Sequence, residues 1–126
     1  IIILQPTSPL REAASITAAV RLHQENDGAV VVGVVECEHH PSKTVRLENG
    51  RITAMTEIQH LEMARQDLPQ VFRVNGAIYL CPLRTILQTH TLLPPGTMAI
   101  EMTREASLDI DHPLDLLLAD QILKHK

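Results

Sequence analysis

The sequence contains no tryptophan, and its only other large aromatics are Phe72 and Tyr79, so a core must be assembled from Leu, Ile, Val and Ala. Cysteine is nearly absent. Cys37 and Cys81 are too few for a disulfide framework and have no metal-ligand partner at short spacing, which fits a reducing, cytoplasmic setting. Basic charge is also scarce: 11 Lys and Arg against 15 Asp and Glu give a net charge of −4 and a pI near 5.9, with no basic run. That argues against nucleic acid or an acidic membrane as partner. No apolar run reaches membrane-spanning length. Ile1–Leu4 is too short for a signal sequence and has no basic residues before it, so no signal peptide is expected. Phosphate-cradling motifs of the GxGxxG or GxxxxGK[ST] type are missing. Ser8 lacks a GxSxG setting, and the seven histidines share no ligand spacing, which excludes an obvious triad or zinc site.

What is present is enough for one domain over residues 1–126. Ile1–Leu4 reads as a strand buried on both faces, as in the middle of a parallel sheet. A domain seldom opens there, so either residues lie upstream or the fold is rebuilt around an abrupt edge. A loop stiffened by Pro6 and Pro9 follows, then a helix over about Glu12–Gln24 with Ile16, Ala19, Val20 and His23 on one face, ended by Asn26-Asp27-Gly28. Ala29–Val35 is a second apolar strand. Strand, helix and strand predict a parallel βαβ unit. Thr44–Leu47 and Arg51–Ala54 around Asn49-Gly50 predict a hairpin. A short helix is expected from Pro82, a strand at Thr97–Met102 and a last helix at Pro113–His125, with Leu114, Leu117, Leu118 and Ile122 as its apolar stripe and Asp111 or His112 as its N-cap. The fold class is therefore α/β. A β-rich insertion at about 43–68, packed against the strand 71–80, carries few large apolar residues and is expected to lean on a second subunit.

Two stretches carry chemistry. In Arg65–Leu80 the alternation puts Phe72, Val74, Gly76, Ile78 and Leu80 on one side and Arg73, Asn75, Ala77 and Tyr79 on the other. A guanidinium, an amide, a gap and a phenol on the exposed row suit a hydroxyl-rich carboxylate ligand, and Arg65 can add a second guanidinium. A plain polar strand face gives the same pattern. Asp109 and Asp111, two apart on an extended segment, face the same way and repel unless a cation or hydrogen bonds intervene. Mg²⁺ needs only one or two protein carboxylates, so the pair suits it. The simpler alternative has Asp111 capping the last helix and Asp109 in water.

The runs QPTSPLR at Gln5–Arg11, EHHPSK at Glu38–Lys43, RQDLPQVFRVNGAIYL at Arg65–Leu80 and SLDID at Ser107–Asp111 stand in the order seen in CMP-sialic acid synthetases, the cytidylyltransferases of nonulosonic acids. The chain resembles them over nearly its whole length, and the Kdo cytidylyltransferases less. The resemblance implies a partial Rossmann-like nucleotidyltransferase fold whose insertion is a dimerisation subdomain, and transfer of CMP from CTP to sialic acid or a relative, with Mg²⁺ and release of pyrophosphate. It assigns Asp109 and Asp111 to Mg²⁺ and catalysis, and Gln5, Arg65 and Tyr79 to the sugar acid, to which the exposed-row reading adds Asn75. Lys43 and Arg73 match residues reaching into the partner subunit's site of a homodimer or higher oligomer, and Leu92 and Leu93 stand where relatives carry an aromatic pair. Nothing in the chain matches the family's N-terminal Gly-rich CTP loop. The expectation is a C-terminal, sugar-binding and dimerising portion, inactive alone. The alternative is a non-catalytic relative acting as a dimerising sugar-acid-binding module.

Overall fold

The computed structural model describes residues 1–125. Six strands and three α-helices occur in the order β1 (Ile2–Ile3), α1 (Ala13–Glu25), β2 (Val31–Glu36), β3 (Val45–Glu48), β4 (Arg51–Ala54), β5 (Phe72–Leu80), α2 (Leu83–Thr89), β6 (Met98–Glu101) and α3 (Pro113–Lys124). They fall into two compact units, one of Ile1–Val35 with Val74–Lys126 and one of Glu36–Arg73. The expected insertion at 43–68 lies inside the second.

The first unit is a mixed α/β layer. Its sheet runs β1-β5-β2-β6. β2 and β6 are parallel, with Val31 opposite Met98 and Val34 opposite Glu101. β1 does not neighbour β2 as a simple parallel βαβ unit would have it. It pairs antiparallel with β5, placing Ile3 opposite Tyr79, and the Ile1 and Cys81 backbones extend that ladder. Among the described residues β1 lies at one edge of this sheet, and Ile1–Leu4 are 36–56% exposed.

The core is small-residue and aliphatic, as the shortage of aromatics requires: Ala19, Val31, Ala77, Ile78, Leu80, Met102 and Ala106, flanked by Ile16, Val20, Leu22, Met98 and Ile100. α1 therefore buries the face its periodicity predicts, and Nδ1 of His23 lies 2.7 Å from Ala29 O, closing the turn after the helix. α3 differs from expectation. Leu114, Leu117 and Leu118 are 73%, 62% and 49% exposed, and only Ala119 is buried. The exposed-row reading of β5 fails too. Ala77 and Ile78 are consecutive and both fully buried, so the strand is covered on both faces, and Asn75 on the supposed outer row is 2% exposed. Gly76, at φ +75°, interrupts the pleat between them.

In the second unit the β3–β4 hairpin turns at Asn49 (φ 51°) and Gly50 (φ 75°), the left-handed pair that Asn-Gly favours. A short 3₁₀ turn at Pro41–Lys43 precedes the hairpin, and two more at Ile58–Leu61 and Arg65–Asp67 follow it. None of the described helices is long and apolar enough to cross a membrane.

Candidate functional site

In the first unit the QPTSPLR loop and the SLDID segment meet. The Ile110 amide donates to Thr7 O at 2.8 Å, bringing the segment of Asp109 and Asp111 against the loop that begins at Gln5. The loop is fastened to β5 by Arg11, whose Nη1 donates to Gln5 O at 3.2 Å and to Ala77 O at 2.7 Å. The Gln5 side chain then lies over Gly76, filling the space that a Cβ there would need. A glycine inside an apolar strand marks such a close approach, so the notch was signalled in the sequence. Arg11 was not singled out there; its position after two prolines in a loop that must be pinned is the only hint.

Beside this seat two oxygens are buried without any hydrogen-bond partner, Ser8 Oγ and Asp109 Oδ1. Ser8 is 1% exposed. Buried polar groups are nearly always paired, so an orphaned carboxylate oxygen marks a place that a donor or a cation completes. Of the two expected residues, His112 and not Asp111 stands at the N-cap of α3. Asp115 Oδ2 reaches back to accept the amides of Asp111 at 3.1 Å and His112 at 2.8 Å. The Asp111 carboxylate is left exposed. Among the described residues no group of three or more His, Cys, Asp and Glu converges into a self-sufficient metal cage. A hydrated Mg²⁺ taking one or two carboxylates needs no such cage, and the orphaned Asp109 oxygen fits it.

Asn75 is not available to a ligand. Its Nδ2 donates to Ser107 Oγ at 2.9 Å and approaches Met102 Sδ at 3.2 Å, while its Oδ1 accepts from the Ala77 amide at 3.1 Å. Tyr79 is half-buried on β5 opposite Ile3. Leu92 is half-buried and Leu93 is 42% exposed in the loop after α2.

The second unit holds the basic candidates. Arg65 Nη2 donates to Cys37 O at 3.2 Å and stands 3.8 Å from Glu36 Oε1, an exposed pair worth little in stability. It lines a cleft of about 490 Å³ with Glu36, Cys37, His40, Leu68 and Gln70. His40 stiffens one side, its Nδ1 accepting from the Ser42 amide at 3.1 Å and its Nε2 3.0 Å from Pro69 O. Lys43 turns inward within the unit, donating to Leu61 O at 3.3 Å and Met63 O at 2.6 Å. Arg73 borders a smaller recess of about 240 Å³ with Cys37, Glu38 and His39.

No family model matches the chain. It is 30% identical over 131 aligned positions to the N-acylneuraminate cytidylyltransferase of Streptococcus agalactiae serotype V, covering 99% of this chain and 32% of that protein. The N-acylneuraminate cytidylyltransferase of Escherichia coli O18:K1:H7 is 30% identical over 98% of this chain and 30% of its own length. The CMP-N,N'-diacetyllegionaminic acid synthase of Legionella pneumophila is 28% identical over 98% of this chain and 53% of its own. The chain thus spans about a third of the length of the first two relatives and half that of the third.

Proposed function

From a chain homologous over 99% of its length to part of the N-acylneuraminate cytidylyltransferases, we propose the C-terminal, sugar-acid-binding and dimerising portion of an enzyme that transfers CMP from CTP to a nonulosonic acid. The observation that carries the reading is the junction of the two motif loops, where Gln5 is seated over Gly76 and Asp109 keeps a buried, unpaired oxygen. Gln5 and Tyr79 bind the hydroxyl groups of the sugar acid. Arg65 pairs with its carboxylate, since a guanidinium forms two parallel hydrogen bonds to such a group. Lys43, Arg73, Leu92 and Leu93 complete the neighbouring protomer's site in a cytoplasmic homodimer, and for Lys43 that requires release from Leu61 O and Met63 O. A reducing compartment is supported by Cys37 and Cys81 both being free thiols. A Rossmann-like sheet is the architecture the parallel β2–β6 pair supports.

In the reaction the anomeric oxygen of the sugar acid bonds to the α-phosphorus of CTP and loses its proton. The bond from that phosphorus to the bridging oxygen breaks, and pyrophosphate leaves. Asp109 and Asp111 would hold Mg²⁺, and the ion would supply positive charge to offset the negative charge gathering on the phosphate oxygens. The chain's own contribution is positioning: Gln5 and Tyr79 orient the hydroxyl for in-line attack, and such orientation accounts for a large share of rate in transfers of this kind.

The test is titration of the chain with N-acetylneuraminate, with and without CTP and Mg²⁺, followed by a pyrophosphate-release assay. Saturable binding that Gln5→Ala and Arg65→Ala weaken at least tenfold is the expected result, about 1.4 kcal/mol each. Absence of binding under every condition overturns the reading. Binding without pyrophosphate release favours the second reading, a non-catalytic sugar-acid-binding module.

A further inference from the structure

Resting on that reading, we propose that Asn75 is a positioning residue that never touches the sugar acid: it holds Asp109 through Ser107 and shapes the seat of Gln5 across Gly76. An asparagine side chain offers two donor protons and one acceptor oxygen. All three are committed. The donors face Ser107 Oγ at 2.9 Å and Met102 Sδ at 3.2 Å, and the oxygen takes the Ala77 amide at 3.1 Å. The opposite strand is cut away to admit the group: a Cβ on Gly33 would stand 2.7 Å from Asn75 Oδ1 and 2.9 Å from Met102 Sδ. The amide is 2% exposed.

Its two hydrogen-bonding ends lead to the two walls of the site. Ser107, 1% exposed, is held by its amide to Thr103 O at 3.0 Å and precedes Asp109 by two residues. Beyond Asp109 the chain is fixed again by the Ile110 amide on Thr7 O. Ser107 and Ile110 are therefore the two anchors of Asp109, and Asn75 sets the first. At its other end the bond from Ala77 N to Asn75 Oδ1 closes a ring over Gly76 and fixes the φ of +75° against which Gln5 lies. The carbonyl of the same Ala77 receives Arg11, which also holds the Gln5 backbone. One buried amide thus sets carboxylate and carboxamide at once, as second-layer partners do around metal ligands.

The experiment is a double-mutant cycle on the full chain with Asn75→Asp, Ser107→Ala and both together. Mn²⁺ binding is read by electron paramagnetic resonance, N-acetylneuraminate binding by calorimetry, and the ligand-free protein by ¹³C and ¹⁵N spectra. Asn75→Asp keeps an oxygen for Ala77 N while losing the donor to Ser107. The expected results are Mn²⁺ affinity about tenfold weaker in each single variant and no weaker in the double, with sugar-acid affinity unchanged. A severalfold loss of sugar-acid affinity in Asn75→Asp while the Gln5 and Gly76 resonances stay in place means direct contact and overturns the proposal, as does unchanged Mn²⁺ affinity in Ser107→Ala. Should the buried charge keep Asn75→Asp from folding, Ser107→Ala decides by itself. If the unmodified chain binds neither ligand, the functional reading falls and the spectra decide the inference. A displaced Asp109 carboxyl resonance in Ser107→Ala supports it, and changes confined to Asn75 and its immediate contacts refute it.

Discussion

The side-chain carboxamide of Gln5 occupies the space that a Cβ on Gly76 would need. Gly76 is also in the left-handed region at φ +75°, so a side chain there meets two independent penalties. The left-handed backbone alone costs an L-residue roughly 1–2 kcal/mol, and expelling Gln5 adds to it. Gly76→Ala should therefore lower the urea midpoint by the equivalent of about 2 kcal/mol or more and abolish sugar-acid binding together. A variant with an unchanged midpoint would show that Gln5 is not seated in the notch.

That notch separates what was legible in the sequence from what was not. The hairpin was readable because Asn49-Gly50 dictates its turn locally, and α1 because Ile16, Ala19 and Val20 recur at helical spacing and do face the core. β5 was misread because alternation reports one covered face only. Ala77 and Ile78 are both buried because both faces of the strand are covered there, and the Gly76 kink puts Asn75 out of step with a simple two-residue period. At the start of α3 the N-cap was legible, His112 being one of its two candidates, but the partner was not: Asp115 reaches back from the first turn to accept the His112 amide, leaving Asp111 exposed.

Asp109 carries a conflict between stability and function. Its buried Oδ1 has no partner, and an unmet buried acceptor costs on the order of 1–3 kcal/mol. Asp109→Asn removes the charge at nearly constant volume. It should leave the thermal midpoint unchanged or raise it, by up to about 1 kcal/mol in stability, while removing Mn²⁺ binding. A loss of stability would mean that the carboxylate is already satisfied by a structural partner.

The hairpin offers a test of assembly. Leu47 and Ile52 pair directly across β3 and β4 and are 69% and 63% exposed. Covering a large aliphatic side chain is worth roughly 1.5–3 kcal/mol, enough for two such residues per protomer to matter in a dimer. Light scattering of the unmodified chain should give twice the monomer mass, and Leu47→Lys with Ile52→Lys should give the monomer mass. Identical masses would place any dimer contact elsewhere.

The position of Asp111 depends on Asp115, a residue with no ligand-binding part of its own. Asp115 Oδ2 accepts the amides of Asp111 and His112, which satisfies two backbone donors at the start of α3 and draws the exposed Asp111 onto the helix. Its negative charge also sits at the positive end of the helix dipole. Loss of such a cap costs about 1 kcal/mol. Little else holds α3, since all five of its leucines are exposed and Ala119 alone is buried, so that loss should appear as local rather than global opening. In Asp115→Ala, amide hydrogen exchange should speed about fivefold across Pro113–Lys124 and much less in β2 and β5. Mn²⁺ affinity should fall as well, because Asp111 loses its tether while Asp109 keeps its anchors at Ser107 and Ile110. Faster exchange with unchanged Mn²⁺ affinity would remove Asp111 from the metal site and leave Asp109 to hold it alone.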